Sequence, residues 1–164
     1  MSEYCVVIAD GARARLFTLE PAESPDMEGG PNLKERQHLV NPERVHTGPL
    51  WSDAKTGRNR APAGGQAHGY DDHRTQHVHE FKRRFARSVA QQTARLVQAY
   101  GARSVILAAQ KRMLGFLRGE LGPLLKNGVH VHAIAKDLCK FAPHDVHKYL
   151  SKETSLPPRK NPAG

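Results

Sequence analysis

Apolar and polar positions recur with two different periods along the chain, and the N-terminal part has the period of β-strands. Two apolar runs, Tyr4–Ala9 and residues 14–19, flank the dipeptide Asp10-Gly11. Asp-Gly between such runs predicts a hairpin, because glycine readily takes the positive φ that a tight turn requires. A third, half-exposed strand is predicted for residues 33–40, after an acidic loop that is rich in Gly and Pro.

The C-terminal part begins with a helical pattern. From about Thr75, apolar residues recur at spacings of three and four and predict a helix that ends near Gly101. They are Val78, Phe81, Phe85 and Val89. The continuous apolar run Ser104–Ala109 follows and predicts a strand that is buried on both faces.

Three further elements complete the pattern. They are a helix with one apolar face at Lys111–Leu121, a strand of alternating pattern at residues 129–135, and a short helix that begins at Pro143 and reaches residue 150. The order of strands and helices predicts a single α/β domain over residues 1–150, in which a mixed β-sheet is flanked by helices.

Two segments lack any apolar period. Residues 41–73 form a long stretch that is predicted to be a loop, and loops of this length in a compact domain are usually functional or disordered. Residues 151–164 are basic and Pro-rich, so we expect a tail that is disordered unless a partner holds it.

Charge narrows the range of partners. The chain has 164 residues with 25 Lys and Arg against 16 Asp and Glu, a formal net charge of +9. A surface of this sign favours polyanions, with nucleic acid as the first choice and an anionic membrane as the second. The sequence shows neither a membrane-length apolar run nor the features of a signal peptide, so we expect a cytoplasmic protein.

Cysteines and histidines give no diagnostic metal pattern. Cys5 and Cys139 lie in separate apolar segments, which favours reduced, structural thiols. The ten histidines include an i,i+4 pair at His73 and His77 and a His-x-His pair at His130 and His132. Neither pair is completed at a diagnostic spacing, so solvent-facing or RNA-contacting imidazoles are the preferred interpretation, and no metal or other cofactor is predicted.

The candidate chemistry lies in the tripeptide Gly64-Gly65-Gln66, which we expect at the tip of the long loop. Two glycines leave no side chain between the main chain and a bound group, so a backbone N–H can approach a reacting atom directly. Between Lys55 and Arg95 there are nine basic residues and three acidic ones, a composition suited to phosphate. A flexible surface loop with a solvated basic helix is the alternative.

This arrangement resembles the middle domain of archaeal and eukaryotic class I translation release factors, in which Gly-Gly-Gln precedes a long, Arg-rich helix. A wider resemblance, to the bacterial host-attachment protein family, covers most of residues 6–150. It is carried by VVIADGARARLF at residues 6–17, Ser52-Asp53 with Gly57-Arg58, ILAAQKRMLGFLR at residues 106–118, and KDLCKFAPHDVHKYL at residues 136–150. That family's domain is similar to the release-factor middle domain and to Pelota-like proteins. The resemblance implies a ribonuclease H-like fold with the Gly-rich loop projecting from one end.

The resemblance implies a ribosomal role in two forms. In one, Gly64, Gly65 and Gln66 are catalytic, and the Gln66 backbone N–H stabilises the oxyanion as the peptidyl-tRNA ester is hydrolysed. In the other, the protein occupies a ribosomal tRNA site without chemistry, as a rescue or hibernation factor. Both forms use the same RNA-binding residues, which are Arg58, Arg60, Arg74, Lys82, Arg83, Arg84 and Arg87. A role in attachment to host cells, as the family name states, is a third hypothesis.

Overall fold

A computed structural model describes the main chain of residues 2–42 and 64–162, and their side chains except those of residues 64–76 and 78. Five strands form one mixed sheet in the order β3-β2-β1-β4-β5. They are β1 (Tyr4–Ala9), β2 (Arg13–Glu20), β3 (Asn32–Val40), β4 (Ser104–Ala109) and β5 (His130–Ala135). β1 pairs antiparallel with β2 and parallel with β4, and β4 pairs parallel with β5.

Among the described residues, three helices flank the sheet, as the sequence predicts. They are α1 (Gly64–Tyr100), α2 (Lys111–Leu121) with a 3-10 turn after it (Gly122–Leu124), and α3 (Pro143–Glu153). Within the described helices, none is long and apolar enough to span a bilayer. The predicted single α/β domain with a mixed sheet and flanking helices is therefore confirmed.

Alternation along β1 and β4 divides the core into two layers. Val7 pairs with Leu107, and both side chains are buried in the layer that contains α1 and α2. Their neighbours Val6 and Ile106 point to the other face and pack in the layer that contains α3. Successive side chains of a strand point to opposite faces, so two continuous apolar strands at the sheet centre supply both layers at once.

The predicted hairpin between β1 and β2 forms, but without a positive φ at Gly11, since the described glycines with a positive φ are Gly101 and Gly128. Asp10 accepts hydrogen bonds from the N–H groups of Ala12 and Arg13 at 2.6 and 2.8 Å, which fixes the turn between β1 and β2. The end of α1 follows the predicted turn chemistry. Gly101 has a φ of 66° directly after α1, a conformation that favours glycine. The Ala102 N–H donates to the Val97 carbonyl at 3.0 Å, as in the common glycine-terminated helix end.

The start of α1 corrects the sequence analysis. The helix begins at Gly64 rather than near Thr75, so Gly64, Gly65 and Gln66 form its first turn and not the tip of a loop. The reason is that apolar periodicity detects only the part of a helix that packs on a core, and Phe85 is the first described residue of α1 that is buried. Of the predicted loop, residues 43–63, which include Trp51, lie outside the described residues.

The C-terminal tail is also corrected, because residues 151–162 pack on the domain. Leu156 is 1% exposed and lies in the α3 layer. Lys160 and Gly30 exchange backbone hydrogen bonds at 2.9 and 3.0 Å. The buried His147 ring lies with Nε2 2.7 Å from the Pro157 carbonyl. A polar composition does not reveal that one leucine and a few main-chain bonds hold the segment in place.

Candidate nucleic-acid interface

α1 and α2 lie side by side on one face of the sheet and contact each other at three successive helical turns. Arg112 Nη1 lies 3.5 Å from His79 Nδ1, Arg83 lies over the ring of Phe116 at 5.6 Å, and Arg87 contacts Glu120 at 3.4 Å. In all three pairs the residue of α2 follows its partner on α1 by 33 positions. A constant offset with ascending numbers on both helices means that the two helices run in the same direction.

Helical periodicity explains why these cations are exposed. The buried residues of α1, among them Phe85, Val89 and Leu96, lie on the side that faces the sheet. Arg83, Arg84 and Arg87 lie on other sides of the helix and are exposed. On α2, the buried residues are Met113, Leu114, Leu117 and Leu121. The sheet-facing sides are thus apolar, and the cations remain along the outer junction of the two helices.

We name this junction the arginine seam and define it as Arg83, Arg84 and Arg87 of α1 with Arg112 of α2. Among the described side chains, two carboxylates contact it: Glu80 lies 3.3 Å from Arg84 and Glu120 lies 3.4 Å from Arg87. The paired arginine side chains are 55% and 60% exposed. Exposed pairs of this kind contribute about 0.3–0.5 kcal/mol, so a phosphate can replace the carboxylate at little cost.

Phe116 gives the seam a flat apolar surface. Its ring is half-buried against the core beneath α1 and α2, and the Arg83 guanidinium lies above it. Arg84 lies similarly over the ring of Phe81, at 5.7 Å. An arginine that stacks on a ring keeps its N–H groups at the edge of the guanidinium plane, where they remain available for an anion.

His79 experiences the positive potential of the seam. Its pKa is lowered, first by desolvation and then by the positive charges of Arg112, Lys82 and Arg83. The lowered pKa favours the neutral ring, so His79 separates Arg112 from the cations of α1 without adding a further charge.

The structure brings together only part of the predicted RNA-binding set. Lys82 is half-buried and lies across the β1–β2 turn, where its Cε would be 2.8 Å from a Cβ placed on Gly11. Its stem therefore packs on the turn, on a different side of α1 from Arg84. Arg58 and Arg60 lie outside the described residues, and Arg74 is described only as helical main chain.

The sequence analysis did not include Arg112, Phe116 or His79 in the interface. The helical period of α2 places Arg112 and Phe116 one turn apart on the same side of the helix, and the sequence alone contains this information. Their pairing with α1 depends on how both helices pack on β4, and no local pattern contains that information.

The predicted catalytic tripeptide lies far along α1 from the sheet. Gly64 precedes Phe85 by 21 residues, which corresponds to about 31 Å of α-helix at 1.5 Å per residue. The first four N–H groups of an α-helix have no partner within the helix, and the helix N-terminus carries a partial positive charge. The tripeptide therefore lies at the N-terminal end of α1, where helices carry N–H groups of this kind.

A separate cluster has metal-binding atom types. Among the residues whose side chains are described, Asp10, Asp137 and Cys139 place two carboxylates and a thiol within 4.8 Å of one another. The carboxylates already accept backbone N–H groups, Asp10 from Ala12 and Arg13 and Asp137 from Cys139 at 3.0 Å. Burial, followed by the charges of Asp10 and Asp137, raises the pKa of Cys139 to about 12. The two carboxylates therefore cap turns of the main chain, and the thiol between them stays protonated.

The remaining cysteine and histidine predictions have mixed outcomes. Cys5 and Cys139 are both buried and unpaired, which confirms structural thiols. The ring of His77 lies 5.9 Å from that of Phe81, while His130 and His132 are exposed on β5. His147, which the sequence analysis did not single out, is the histidine buried beneath the tail.

Comparison with known families supports the resemblance to the host-attachment family. A profile of the family described as "protein required for attachment to host cells" matches residues 5–150, which run from the second residue of β1 to Leu150 in α3. A comparison with curated proteins found no match. The match covers well over half of the chain, so the chain belongs to the host-attachment protein family.

Proposed function

We propose that this protein binds the ribosome at a tRNA site through the arginine seam and acts in ribosome rescue or hibernation. The observation that supports the proposal is the seam itself, in which four arginines from two parallel helices are exposed along one junction. Arginine is the side chain best suited to phosphate, since its planar fork can donate two parallel hydrogen bonds.

Order in the seam supports a structured RNA partner. Each of Arg83, Arg87 and Arg112 has a specific contact across the helix junction, so their guanidinium groups are oriented before a partner arrives. Oriented side chains lose less conformational freedom on binding than free ones, which favours affinity for a surface of matching shape. Folded RNA presents phosphates in fixed positions and is recognised largely by shape and backbone contacts.

The Gly-Gly-Gln tripeptide supports a chemical role at the same site. In this proposal, α1 extends into the ribosome with Gly64, Gly65 and Gln66 at its leading end. A free N–H of the first helical turn, that of Gln66 by the resemblance to release factors, donates to the oxyanion that forms when water attacks the peptidyl ester. One such donor contributes about 10²–10³ in rate.

Occupation of the ribosome without catalysis is the second candidate. The acidic pair Asp71-Asp72 follows the tripeptide within α1, and carboxylates beside rRNA phosphates raise the free energy of deep insertion. The family description names attachment to host cells, which is an outcome for the cell and not a chemical step, so it is compatible with either candidate.

Sedimentation of the purified protein with ribosomes tests the binding proposal. Arg83→Glu/Arg84→Glu/Arg87→Glu is compared with Arg95→Glu/Arg103→Glu/Lys126→Glu, which makes the same change in charge at exposed positions outside the seam. We expect the seam variant to lose co-sedimentation and the control to retain most of it. Equal losses in both variants would reduce the interaction to net charge and would reject the seam as the binding surface.

Peptide release then separates catalysis from occupation. Stalled ribosomes with a labelled nascent peptide are incubated with wild-type protein or with Gly65→Ala. Catalysis predicts that the variant still binds but releases peptide at least about tenfold more slowly. Absence of release by the wild-type protein, together with retained binding, would assign the protein to occupation alone.

A further inference from the structure

We infer that a second surface, on the face of the sheet opposite to the arginine seam, binds single-stranded nucleic acid by stacking a base on Phe141. Phe141 lies at the rim of a hollow of about 400 Å³ beside α3. The hollow is lined by Lys140, Phe141, Ala142, Asp145, Lys148, Tyr149 and Lys152. We name this surface the Phe141 hollow. The inference goes beyond the proposed function, because such binding does not require a ribosome.

Phe141 combines exposure with a fixed backbone. The residue is 38% exposed, so part of its ring is open to solvent. Its carbonyl accepts a hydrogen bond from Arg15 Nη1 at 2.6 Å, and its N–H donates to the Leu138 carbonyl at 3.0 Å. The ring is therefore presented to solvent from a segment held at both main-chain groups, as a stacking platform requires.

Arg15 is itself immobilised, which extends the support to the sheet. Its guanidinium donates to Glu35 on β3 at 2.8 Å and to the Cys139 carbonyl at 3.0 Å, and it lies 5.1 Å above the ring of Phe17. The Arg15 guanidinium thus connects β2 and β3 with the loop that carries Phe141.

Four lysines lie in or beside the hollow. Lys140, Lys148 and Lys152 are exposed in its lining, and Lys136 lies with Nζ 5.9 Å from the centre of the Tyr149 ring. Within the described residues, none of these four lysines forms an ion pair within 4.0 Å. Asp145 is the single carboxylate in the lining.

The combination selects single-stranded nucleic acid among polyanions. Every base has a flat face that can stack on Phe141, while lysines that have no ion pair bind the backbone as point charges. Duplex bases are already stacked and have no free face to offer. An acidic peptide satisfies the lysines but gains little from an exposed ring. The hollow is open to solvent, so a base can reach Phe141 from outside while the backbone lies along the lysines.

Fluorescence anisotropy with a labelled 12-residue oligouridylate tests the inference on the full chain. The measurements are made in the Arg83→Glu/Arg84→Glu/Arg87→Glu background, so that the arginine seam does not contribute. In that background we expect Phe141→Ala to weaken binding about tenfold or more and Phe141→Trp to preserve it. We expect Lys148→Glu/Lys152→Glu to weaken binding and to reduce the slope of log K against log salt by about 1.4, since each lost phosphate contact removes about 0.7.

The control is Lys34→Glu/Lys126→Glu, which changes the charge equally at exposed sites outside the hollow and is expected to bind nearly as the parent does. Circular dichroism verifies that each variant is folded. Two results would overturn the inference: unchanged affinity in Phe141→Ala, or competition by poly-glutamate as effective as that by unlabelled oligouridylate. Failure of ribosome binding by the wild-type protein would reject the proposed function and leave this test unaffected.

Discussion

The guanidinium of Arg83 on α1 lies 5.6 Å above the ring of Phe116 on α2, at the middle of the three contacts that join the two helices. One helical turn before this contact, Arg112 lies against His79, and one turn after it, Arg87 contacts Glu120. The contact places a cation that is available to RNA directly on a residue that packs against the core. Stability of the helix pair and orientation of the arginine seam are therefore linked through Phe116.

Replacement of Phe116 tests this link. Phe116→Leu keeps most of the apolar burial but removes the aromatic face, so we expect the free energy of unfolding to fall by about 0.5–1 kcal/mol. We also expect ribosome affinity to fall, because Arg83 loses its orientation. Urea unfolding and sedimentation measure the two effects. The comparison with Phe116→Leu in an Arg83→Ala background isolates the pair, and an equal loss of stability in that background would show that Arg83 and Phe116 are not coupled.

Arg15 donates hydrogen bonds to four acceptor atoms, which are the two carboxylate oxygens of Glu35 and the carbonyl oxygens of Cys139 and Phe141. A lysine cannot reach all four. We expect Arg15→Lys to lower the free energy of unfolding by about 1.5–3 kcal/mol, since hydrogen bonds from a charged donor are lost at a half-buried site. Hydrogen exchange of the Phe141 amide should accelerate. Arg13→Lys provides the control, because the guanidinium of Arg13 has one ion pair among the described residues, a 3.9 Å contact with Asp10, and the main-chain hydrogen bonds of Arg13 do not depend on its side chain. Unchanged exchange at Phe141 would contradict the supporting role of Arg15.

Cysteine burial predicts a loss of stability in alkali. Burial raises the pKa values of Cys5 and Cys139 to about 12, with Glu20 adding to the effect at Cys5 and the two aspartates at Cys139. In the unfolded chain both thiols ionise near their ordinary pKa of about 8.5. The unfolded state therefore binds fewer protons between about pH 8.5 and 12, and the free energy of unfolding falls as pH rises through that window.

Urea unfolding across pH 8 to 11 checks this dependence, with Cys5→Ala/Cys139→Ala as the matched variant. The variant is expected to be less stable at pH 8, because two buried sulfurs are removed, but to lose less stability per pH unit above 9. Parallel slopes for the two proteins would contradict the raised thiol pKa values. Slow reaction of the native protein with a thiol reagent at pH 8 is the accompanying expectation.

Gly65→Ala is expected to preserve or strengthen α1. Gly65 lies in the first turn of the helix, and alanine in place of glycine within a helix lowers the free energy of folding by about 0.5–1 kcal/mol. Circular dichroism should show unchanged or greater helicity. A loss of peptide release in this variant is therefore not a consequence of unfolding. Reduced helicity would contradict the placement of the tripeptide within α1.

Sequence patterns predicted the elements that are apolar on both sides or strongly periodic. The bounds of β4 and α2 agree with the structure because Ser104–Ala109 is wholly apolar and Lys111–Leu121 carries one continuous buried side. The first turns of α1 were missed because the helical pattern becomes visible only where side chains pack on the sheet. The packed tail was missed because Leu156 alone anchors it in the core.

Helical periodicity also predicts part of the arginine seam. Arg83, Arg84 and Arg87 lie outside the apolar stripe of α1, so their exposure follows from local period alone. Arg112 joins them only because α1 and α2, which β4 separates in the sequence, pack in parallel on the same face of the sheet. A contact of this kind is a property of the assembled sheet and helices, and charge content by itself does not indicate which arginines lie together.

A structure of the protein bound to the ribosome tests the central claim most directly. We predict that the guanidinium groups of Arg83 and Arg87 lie within about 3 Å of rRNA phosphate oxygens, with the first turn of α1 directed toward the tRNA acceptor end. A complex in which the arginine seam faces solvent, while another surface contacts the ribosome, would contradict the account.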